Sequence, residues 1–459
     1  MILKKNIYFL GIGGIGMSAL ARYFKAKGFS VAGYDRTPSA LTKALEQEGI
    51  LIHYEDDVNK IPSGFRTPDE TVVVFTPAVP ATMSEMVWFK EHQFIVQKRS
   101  QILGEITRMQ KGLCVSGTHG KTTTSTMLSH LLHQSSVDCN AFLGGISKNY
   151  ETNLLLSDKS DLVVIEADEF DHSFLTLSPY MAVVTAVDAD HLDIYGTVEA
   201  YRAGFEEFTS LIRPDGVLLI KEGLPIHPQL QKGVKRYTYS VDKGDFHATN
   251  IRIGNGEIFF DFVTPSEVIK DIQLGVPVYV NIENGVAAMA IAWMNGVTAD
   301  ELRAGMLSYS GVKRRFDFHI KSDKIVLLDD YAHHPNELKS SIESVRRLYE
   351  GRKLTVVFQP HLYTRTRDLA DDFASVLSLA DELILLDIYP AREKPIPGVT
   401  SQMLLDKVSV TNKKLFTKDE LVASADYHDY DVMLMVGAGD LDLLIPEIEH
   451  RLRKRLQVI

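Results

Sequence analysis

An apolar run, Leu113-Cys114-Val115, passes directly into Ser116-Gly117-Thr118-His119-Gly120-Lys121-Thr122-Thr123-Thr124 and then into a helix-like stretch from Ser125 to Leu132. A buried strand that empties into a glycine–threonine loop and re-enters as a helix points to the α/β class, in which helical crossovers cover a parallel sheet. The arrangement is also chemically specific. Backbone N–H groups of such a loop, together with the helix N-terminus, face a polyphosphate. Lys121 can neutralise β- and γ-phosphate charge, and the Thr122 hydroxyl can ligate Mg²⁺. The general phosphate-loop pattern has a glycine where this chain has Val115. A Gly-Lys-Thr in an ordinary turn would lack the flanking strand and helix, so the loop is read as an ATP site. Its candidate residues are Gly117, Thr118, His119, Gly120, Lys121, Thr122 and Thr123.

Strand-like and helix-like stretches alternate before this loop. Ile7 to Gly11, Ser30 to Asp35 and Thr71 to Phe75 read as strands; Met17 to Lys27, Leu41 to Gly49 and Thr82 to Glu91 read as helices. After the loop, Leu162 to Glu166, Ala182 to Thr185 and Val217 to Ile220 read as further strands. The stretch from Tyr237 to Phe262 alternates in a β-like way around Asn255-Gly256, a hairpin signal. Beyond Lys313-Arg314-Arg315 come strands at Ile325 to Asp329, Leu354 to Phe358, Glu382 to Leu386 and Val432 to Val436. A chain of 459 residues exceeds one hydrophobic core. Three α/β domains are expected, at 1–107, 108–312 and 313–459.

The first strand ends in Gly11-Ile12-Gly13-Gly14-Ile15-Gly16, with Asp35 at the end of the second strand. Such a loop lets backbone approach a diphosphate while a carboxylate meets a ribose hydroxyl. Alone it would suit NAD or FAD and a dehydrogenase; beside an ATP loop it suits a nucleotide-linked substrate equally well. Gly13, Gly14, Ile15, Gly16 and Asp35 are its candidate residues.

Two further strand ends carry acids. Val163-Val164-Ile165 leads into Glu166-Ala167-Asp168-Glu169, and the next strand leads into Asp188-Ala189-Asp190-His191-Leu192-Asp193. Ligands of open α/β sheets bind at this edge, and Mg²⁺ takes oxygen donors. Thr122 and Glu166 are the candidate ligands of an ATP-bound Mg²⁺. His191 is a candidate for a second metal or a phosphate, while Asp190 is equally suited to capping a helix.

A net charge of −11 argues against a general nucleic-acid binder. Cys114 and Cys139 can build neither a disulfide framework nor a zinc site unaided and suit a reducing cytoplasm. The N-terminus runs straight into a strand and does not read as a signal peptide, and no apolar run reaches membrane-span length.

With these loops in place the chain resembles the Mur ligase family along essentially its whole length. The likeness is carried by GIGGIGMS (Gly11 to Ser18), SGTHGKTTT (Ser116 to Thr124), EADE (Glu166 to Glu169) and DHLD (Asp190 to Asp193). Further motifs are GVKRRFDF (Gly311 to Phe318), DDYAHHP (Asp329 to Pro335), FQPHLYTRTRD (Phe358 to Asp368) and YPAREKPIPG (Tyr389 to Gly398). The resemblance implies an amide ligase of the alanine-adding branch. ATP would activate the lactyl carboxylate of UDP-N-acetylmuramate, and L-alanine would displace the phosphate. It implies ATP and two Mg²⁺ as cofactors, with Mn²⁺ able to substitute, and a monomer or weak homodimer. By matched position, Lys121 would bridge phosphates, Glu166 and His191 would serve the metals, and Asn281 and Asn284 would lie near adenine and ribose. Arg315 and Asp330 would close over ATP, and Tyr331, His361 and Arg365 would receive the amino acid. His53, Thr76 and, more loosely, Arg99 would lie near the UDP group. Three positions depart from the family pattern. Phe205 stands where some branches carry a carbamylated lysine, Val280 where a histidine is frequent, and Leu362 where an arginine is frequent. The nearest rival implied is the muropeptide-recycling ligase, which adds a tripeptide to the same sugar nucleotide.

Overall fold

The computed structural model describes residues 4–458 apart from Asn255 and Arg392. Strands β1 (Asn6–Leu10), β2 (Ser30–Tyr34), β3 (Leu51–His53), β4 (Thr71–Phe75) and β5 (Ile95–Lys98) form a parallel sheet in the order β3-β2-β1-β4-β5. The order reverses between β1 and β4, and the first glycine loop leaves β1 at that switch point, where ligands of such sheets bind.

The second sheet collects β6 (Lys111–Ser116), β7 (Asn140–Ser147), β8 (Thr152–Leu155), β9 (Leu162–Ala167), β10 (Met181–Val184), β11 (Val217–Lys221) and β12 (Lys235–Tyr239), in the order β12-β11-β10-β6-β9-β7-β8. Its central strands are continuous apolar runs because helices cover both faces: Leu113, Cys114, Val115, Val163 and Val164 are all buried. β6 lies between β10 and β9, with Ser116 opposite Val184 on one side and Ala167 on the other. The phosphate loop therefore emerges between the two acidic strand ends. A three-stranded sheet follows, of β13 (His247–Gly254), β14 (Glu257–Val263) and β15 (Val268–Gln273). β13 and β14 are neighbours in this sheet; the hairpin expected at Asn255-Gly256 falls on Asn255, which lies outside the described residues.

The last sheet has β16 (Asp317–Lys321), β17 (Val326–Asp330), β18 (Leu354–Phe358), β19 (Glu382–Leu385), β20 (Asn412–Leu415) and β21 (Val432–Val436), ordered β16-β17-β21-β18-β19-β20 with only β16 antiparallel. The fold is α/β throughout. Contacts group the chain into two compact units: one is 1–249, 261–272 and 283–309, the other 250–260, 273–282 and 310–459. The first unit holds the first two sheets around a shared core in which Phe9, Leu20 and Phe24 belong to one cluster with Phe142, Ile165 and Phe174. Both cysteines are buried and free, Cys114 as a small core residue.

Candidate active site

The helix after the phosphate loop begins at Lys121 and runs to His133, four residues earlier than the sequence pattern predicts. The β-branched Thr122, Thr123 and Thr124 are weak helix formers, but Gly120 enters from the left-handed region at φ 81° and turns the chain into the first turn. No side chain caps this N-terminus, which leaves its N–H groups directed to the loop.

Two predicted metal ligands meet directly. Thr122 Oγ1 donates toward both carboxylate oxygens of Glu166, at 3.1 and 3.0 Å. This all-oxygen pair, beside a loop built for phosphate, fits a Mg²⁺ shell completed by water and phosphate. Gly144 on β7 makes the approach possible, because a Cβ there would stand 1.9 Å from Glu166 Oε2. Lys121 Nζ donates to Gly117 O at 2.7 Å and to Glu169 Oε1 at 2.9 Å. Glu169 is almost fully buried and also accepts from Tyr201 Oη at 3.3 Å. It is a site residue the sequence reading passed over, although it is quoted within the EADE motif. Thr118 Oγ1 lies 2.9 Å from the same Tyr201 hydroxyl, and His119 Nε2 lies 3.8 Å from Asp188. Thr123 sits in the first helical turn.

His191 caps the short helix Leu192–Tyr195 with φ 51°, its ring edge against Phe170 at 5.1 Å and its Nε2 3.7 Å from Asp190. Asp190 Oδ1 accepts the N–H of His191 itself, which is the N-cap residue, and no side chain caps this helix, so the capping role open to Asp190 from sequence is not the one it plays. Phe205 is buried between Phe174 and Tyr201, which are 5.3 and 5.2 Å away ring to ring, so the position is core. Asn281 and Asn284 are both on the helix Val280–Met294. Asn284 Oδ1 accepts from Thr124 Oγ1 at 3.2 Å, which ties that helix start to the phosphate-loop helix.

At the first glycine loop, Asp35 Oδ2 accepts from the Gly13 N–H at 2.7 Å and Oδ1 from Thr37 N–H at 3.2 Å. The carboxylate expected at a ribose thus braces the loop itself. Gly14 precedes Ile15, the first residue of the helix Ile15–Ala26. Thr76 packs on Gly11, and Arg99 lies over Gly16 so closely that a Cβ there would be 2.6 Å from its Nη1. Arg99 also lies 3.8 Å from Asp168 of the acidic loop. His53 closes β3, its carbonyl accepting the Asp35 N–H at 3.1 Å. Six of the predicted nucleotide residues therefore line one edge of the first sheet: Gly13, Gly16, Asp35, His53, Thr76 and Arg99.

The second unit assembles the others. The guanidinium groups of Arg314 and Arg315 lie 4.8 and 5.2 Å from the Tyr331 ring centre. Arg314 is fixed on Gly437 O and Gly439 O at 3.2 and 2.9 Å. Asp330 accepts from Tyr331 N–H at 2.9 Å, from Phe316 N–H at 3.3 Å and from the Ser341 hydroxyl. Burial lifts its carboxyl above the ordinary carboxylate range, against the pull of Ser341 and of the Arg315 charge. Tyr331 meets His333 ring to ring at 5.5 Å, His333 meets His361 at 6.0 Å, and Arg365 Nη1 lies 3.2 Å from His361 Nδ1. The three predicted amino-acid residues form one connected group, with His333 as the link sequence reading left unassigned. Leu362, in the departure position, has φ 71°, where a branched side chain is strained.

Models of the Mur ligase family match in three blocks: the family's catalytic domain over 6–111, its middle domain over 115–292 and its glutamate ligase domain over 314–439. The chain is 63% identical over 452 residues, 98% of each chain, to a UDP-N-acetylmuramate–L-alanine ligase of Parabacteroides distasonis. It is 61% identical to one of Phocaeicola vulgatus, over 98% of this chain and 99% of the relative. Among solved structures, a UDP-N-acetylmuramate–alanine ligase of Thermotoga maritima aligns over 99% of both chains with a TM-score of 0.80 and 26% identity. A murein peptide ligase of Psychrobacter arcticus shares the fold at a TM-score of 0.68 and 20% identity. Two loops at the switch points of two mainly parallel sheets, a threonine–glutamate pair beside the second, and matches spanning nearly the whole chain lead to one conclusion: this chain belongs to the Mur ligase family.

Proposed function

We propose that this chain is an ATP-dependent ligase that joins L-alanine to the lactyl carboxylate of UDP-N-acetylmuramate, with release of ADP and phosphate. The observation that carries the reading is full-length identity above 60% to ligases of that name. The meeting of Thr122, Glu166 and Lys121 at one loop supports it.

A carboxylate resists amine attack until one oxygen becomes a leaving group. The γ-phosphoryl of ATP passes to a lactyl carboxylate oxygen, giving an acyl phosphate and ADP. The alanine nitrogen then bonds to the acyl carbon, loses a proton, and the C–O bond to phosphate breaks. Catalysis of this kind is mostly positioning and charge neutralisation. The loop N–H groups from Gly117 to Thr123 cradle the phosphates, and Lys121 exchanges Glu169 for a phosphate oxygen. Thr122 and Glu166 would hold Mg²⁺, which when bound neutralises charge on the transferring group. His191 would serve a second Mg²⁺, or Mn²⁺ in its place. Asn281 and Asn284 face adenine and ribose, while Arg315 and Asp330 contact ATP. Tyr331, His361 and Arg365 take the amino acid. Gly13, Gly14, Ile15, Gly16, Asp35, His53, Thr76 and Arg99 hold the UDP end. The roles divide among segments 1–107, 108–312 and 313–459. Among the described residues no helix is long and apolar enough to cross a membrane; we place the enzyme in the cytoplasm, as a monomer or weak homodimer.

The expected outcome is phosphate release that needs UDP-N-acetylmuramate, L-alanine and Mg²⁺ together. Equal or better turnover with L-alanyl-γ-D-glutamyl-diaminopimelate in place of alanine would move the assignment to the recycling ligase.

A further inference from the structure

Beneath the edge that carries Asp35 and His53 lies a buried polar cluster that nothing above requires. Tyr8 Oη on β1 lies 2.7 Å from both His53 Nε2 and Glu85 Oε2, and His53 Nε2 lies 3.3 Å from Glu85 Oε1. Glu85, in the first turn of the helix Ser84–Glu91, is fully buried, and its Oε1 accepts no hydrogen bond among the described residues. His53 Nδ1 faces Glu55 O at 3.0 Å, so a proton belongs on Nδ1.

Counting protons decides what the cluster holds. With Nδ1–H committed to Glu55 O, two 2.7 Å contacts meet at a phenol that has a single hydrogen. Both are hydrogen bonds only if one further proton is present. It sits on Glu85, which then donates to Tyr8 while Tyr8 donates to His53. Alternatively it sits on His53 Nε2, which donates to Tyr8 while Tyr8 donates to Glu85. Either way the cluster is neutral overall. Without that proton, one contact sets lone pair against lone pair beside a buried carboxylate.

We propose that Glu85 is a positioning residue for the UDP end of the substrate: through Tyr8 and a shared proton it fixes the His53 imidazole at the mouth of the first-sheet site, and substrate binding needs that proton. The inference rests on the function proposed above. Losing the proton both loosens His53 and places a negative charge beneath a site for a diphosphate. Surrounding charges set where the loss occurs. Burial lifts the Glu85 carboxyl to about 8, against the pull of the Tyr8 hydroxyl and with a further push from Asp56 and Asp57. Burial and Lys60 hold His53 below its ordinary range, opposed by Asp57 and Glu55. Burial and the Glu85 charge keep the Tyr8 phenol protonated, with Arg66 opposing.

The test is the KM for UDP-N-acetylmuramate against pH, with ATP, Mg²⁺ and L-alanine saturating. In the unaltered enzyme KM should rise about tenfold between pH 7 and pH 9 with kcat little changed, as expected for a required proton leaving near the middle of that window. Glu85→Gln mimics the protonated acid, with an amide N–H for one partner and a carbonyl for the other, and its KM should be flat over that window. Tyr8→Phe cuts the link and should raise KM at pH 7 severalfold. An alkaline rise that persists in Glu85→Gln, or a Tyr8→Phe KM equal to that of the unaltered enzyme, overturns the proposal. If Glu85→Gln does not fold, a Tyr8→Phe enzyme with a flat pH profile supports it, and one with the unaltered profile overturns it. Failure of the unaltered enzyme to require UDP-N-acetylmuramate would instead refute the proposed function.

Discussion

Glu166 can serve an ATP-bound metal only if its carboxylate stays on the Thr122 side of β9, and Gly144 across the sheet is what leaves that room. A Cβ at Gly144 would sit 1.9 Å from Glu166 Oε2 and 2.7 Å from its Cδ. Because the clash is with the end of a flexible side chain, the carboxylate moves and the backbone stays. Gly144→Ala should therefore lower the rate of phosphate release by 10- to 100-fold, the usual cost of disturbing a group that orients a ligand, while leaving the thermal midpoint nearly unchanged. A midpoint that falls in step with activity would show that the damage is to packing. This residue also marks where sequence reading stops. Lys121, Thr122 and Glu166 were legible because a loop between a strand and a helix, and an acid at a strand end, have fixed meanings. Gly144 and Glu169 act through approaches between β7 and β9 and between the loop and Tyr201, and spacing along the chain carries no record of which strands become neighbours.

Elements recovered from pattern were those buried on both faces. β4, β18 and β21 begin and end where their apolar runs do. Passed over were β3 and β5, β3 having an exposed Leu51; the β7–β8 pair, with two glycines inside β7; β15, with an exposed Val268; and β16 and β20, the strands at the two edges of the last sheet. A short or half-exposed strand has too few buried positions to show a period. The phosphate-loop helix was legible as an element but not at its start, since propensity there yields to function. Its far end supports a prediction. His130 Nδ1 lies 2.8 Å from Tyr150 Oη and Nε2 lies 2.9 Å from Ser308 Oγ, joining this helix to the helix Ala299–Ser308. Burial depresses the imidazole from 6.5 to about 4. The unfolded chain then binds a proton below about pH 6.5 that the folded chain refuses until about pH 4. Stability is fully present above the higher value and is lost as pH falls through this window, by about 3 kcal/mol in all. Denaturant titrations at pH 7, 6 and 5 should show the fall, and His130→Gln should remove most of it between pH 6 and 5. An unchanged slope in the variant would assign the loss to carboxylates.

For the molecule as a whole, sequence reading anticipated an α/β fold built on parallel sheets, and that is the fold present, with β8 and β16 the antiparallel members of the second and last sheets. What it could not see is that the first two share a core: the helix Ile15–Ala26 supplies Leu20, Tyr23 and Phe24 to the same apolar cluster as Phe142 and Leu154 of the second sheet. Packing of this kind depends on which faces meet in space, and the amphipathic pattern of a helix does not name its partner. The last sheet has a cluster of its own, with Leu327, Ile384, Met433 and Leu452. Separate cores are expected to unfold as separate cooperative units, because each loses its buried apolar surface independently. Calorimetry should therefore resolve two transitions. A ligand stabilises only the unit that binds it, by about 2.7 kcal/mol at a hundredfold excess over Kd. UDP-N-acetylmuramate alone, which we propose binds at the first-sheet edge, should raise the transition of the unit with the first two sheets by several degrees and leave the other in place. A single transition that moves as one, or movement of the other transition instead, would mean that the shared core does not bound the cooperative unit or that the sugar nucleotide binds elsewhere.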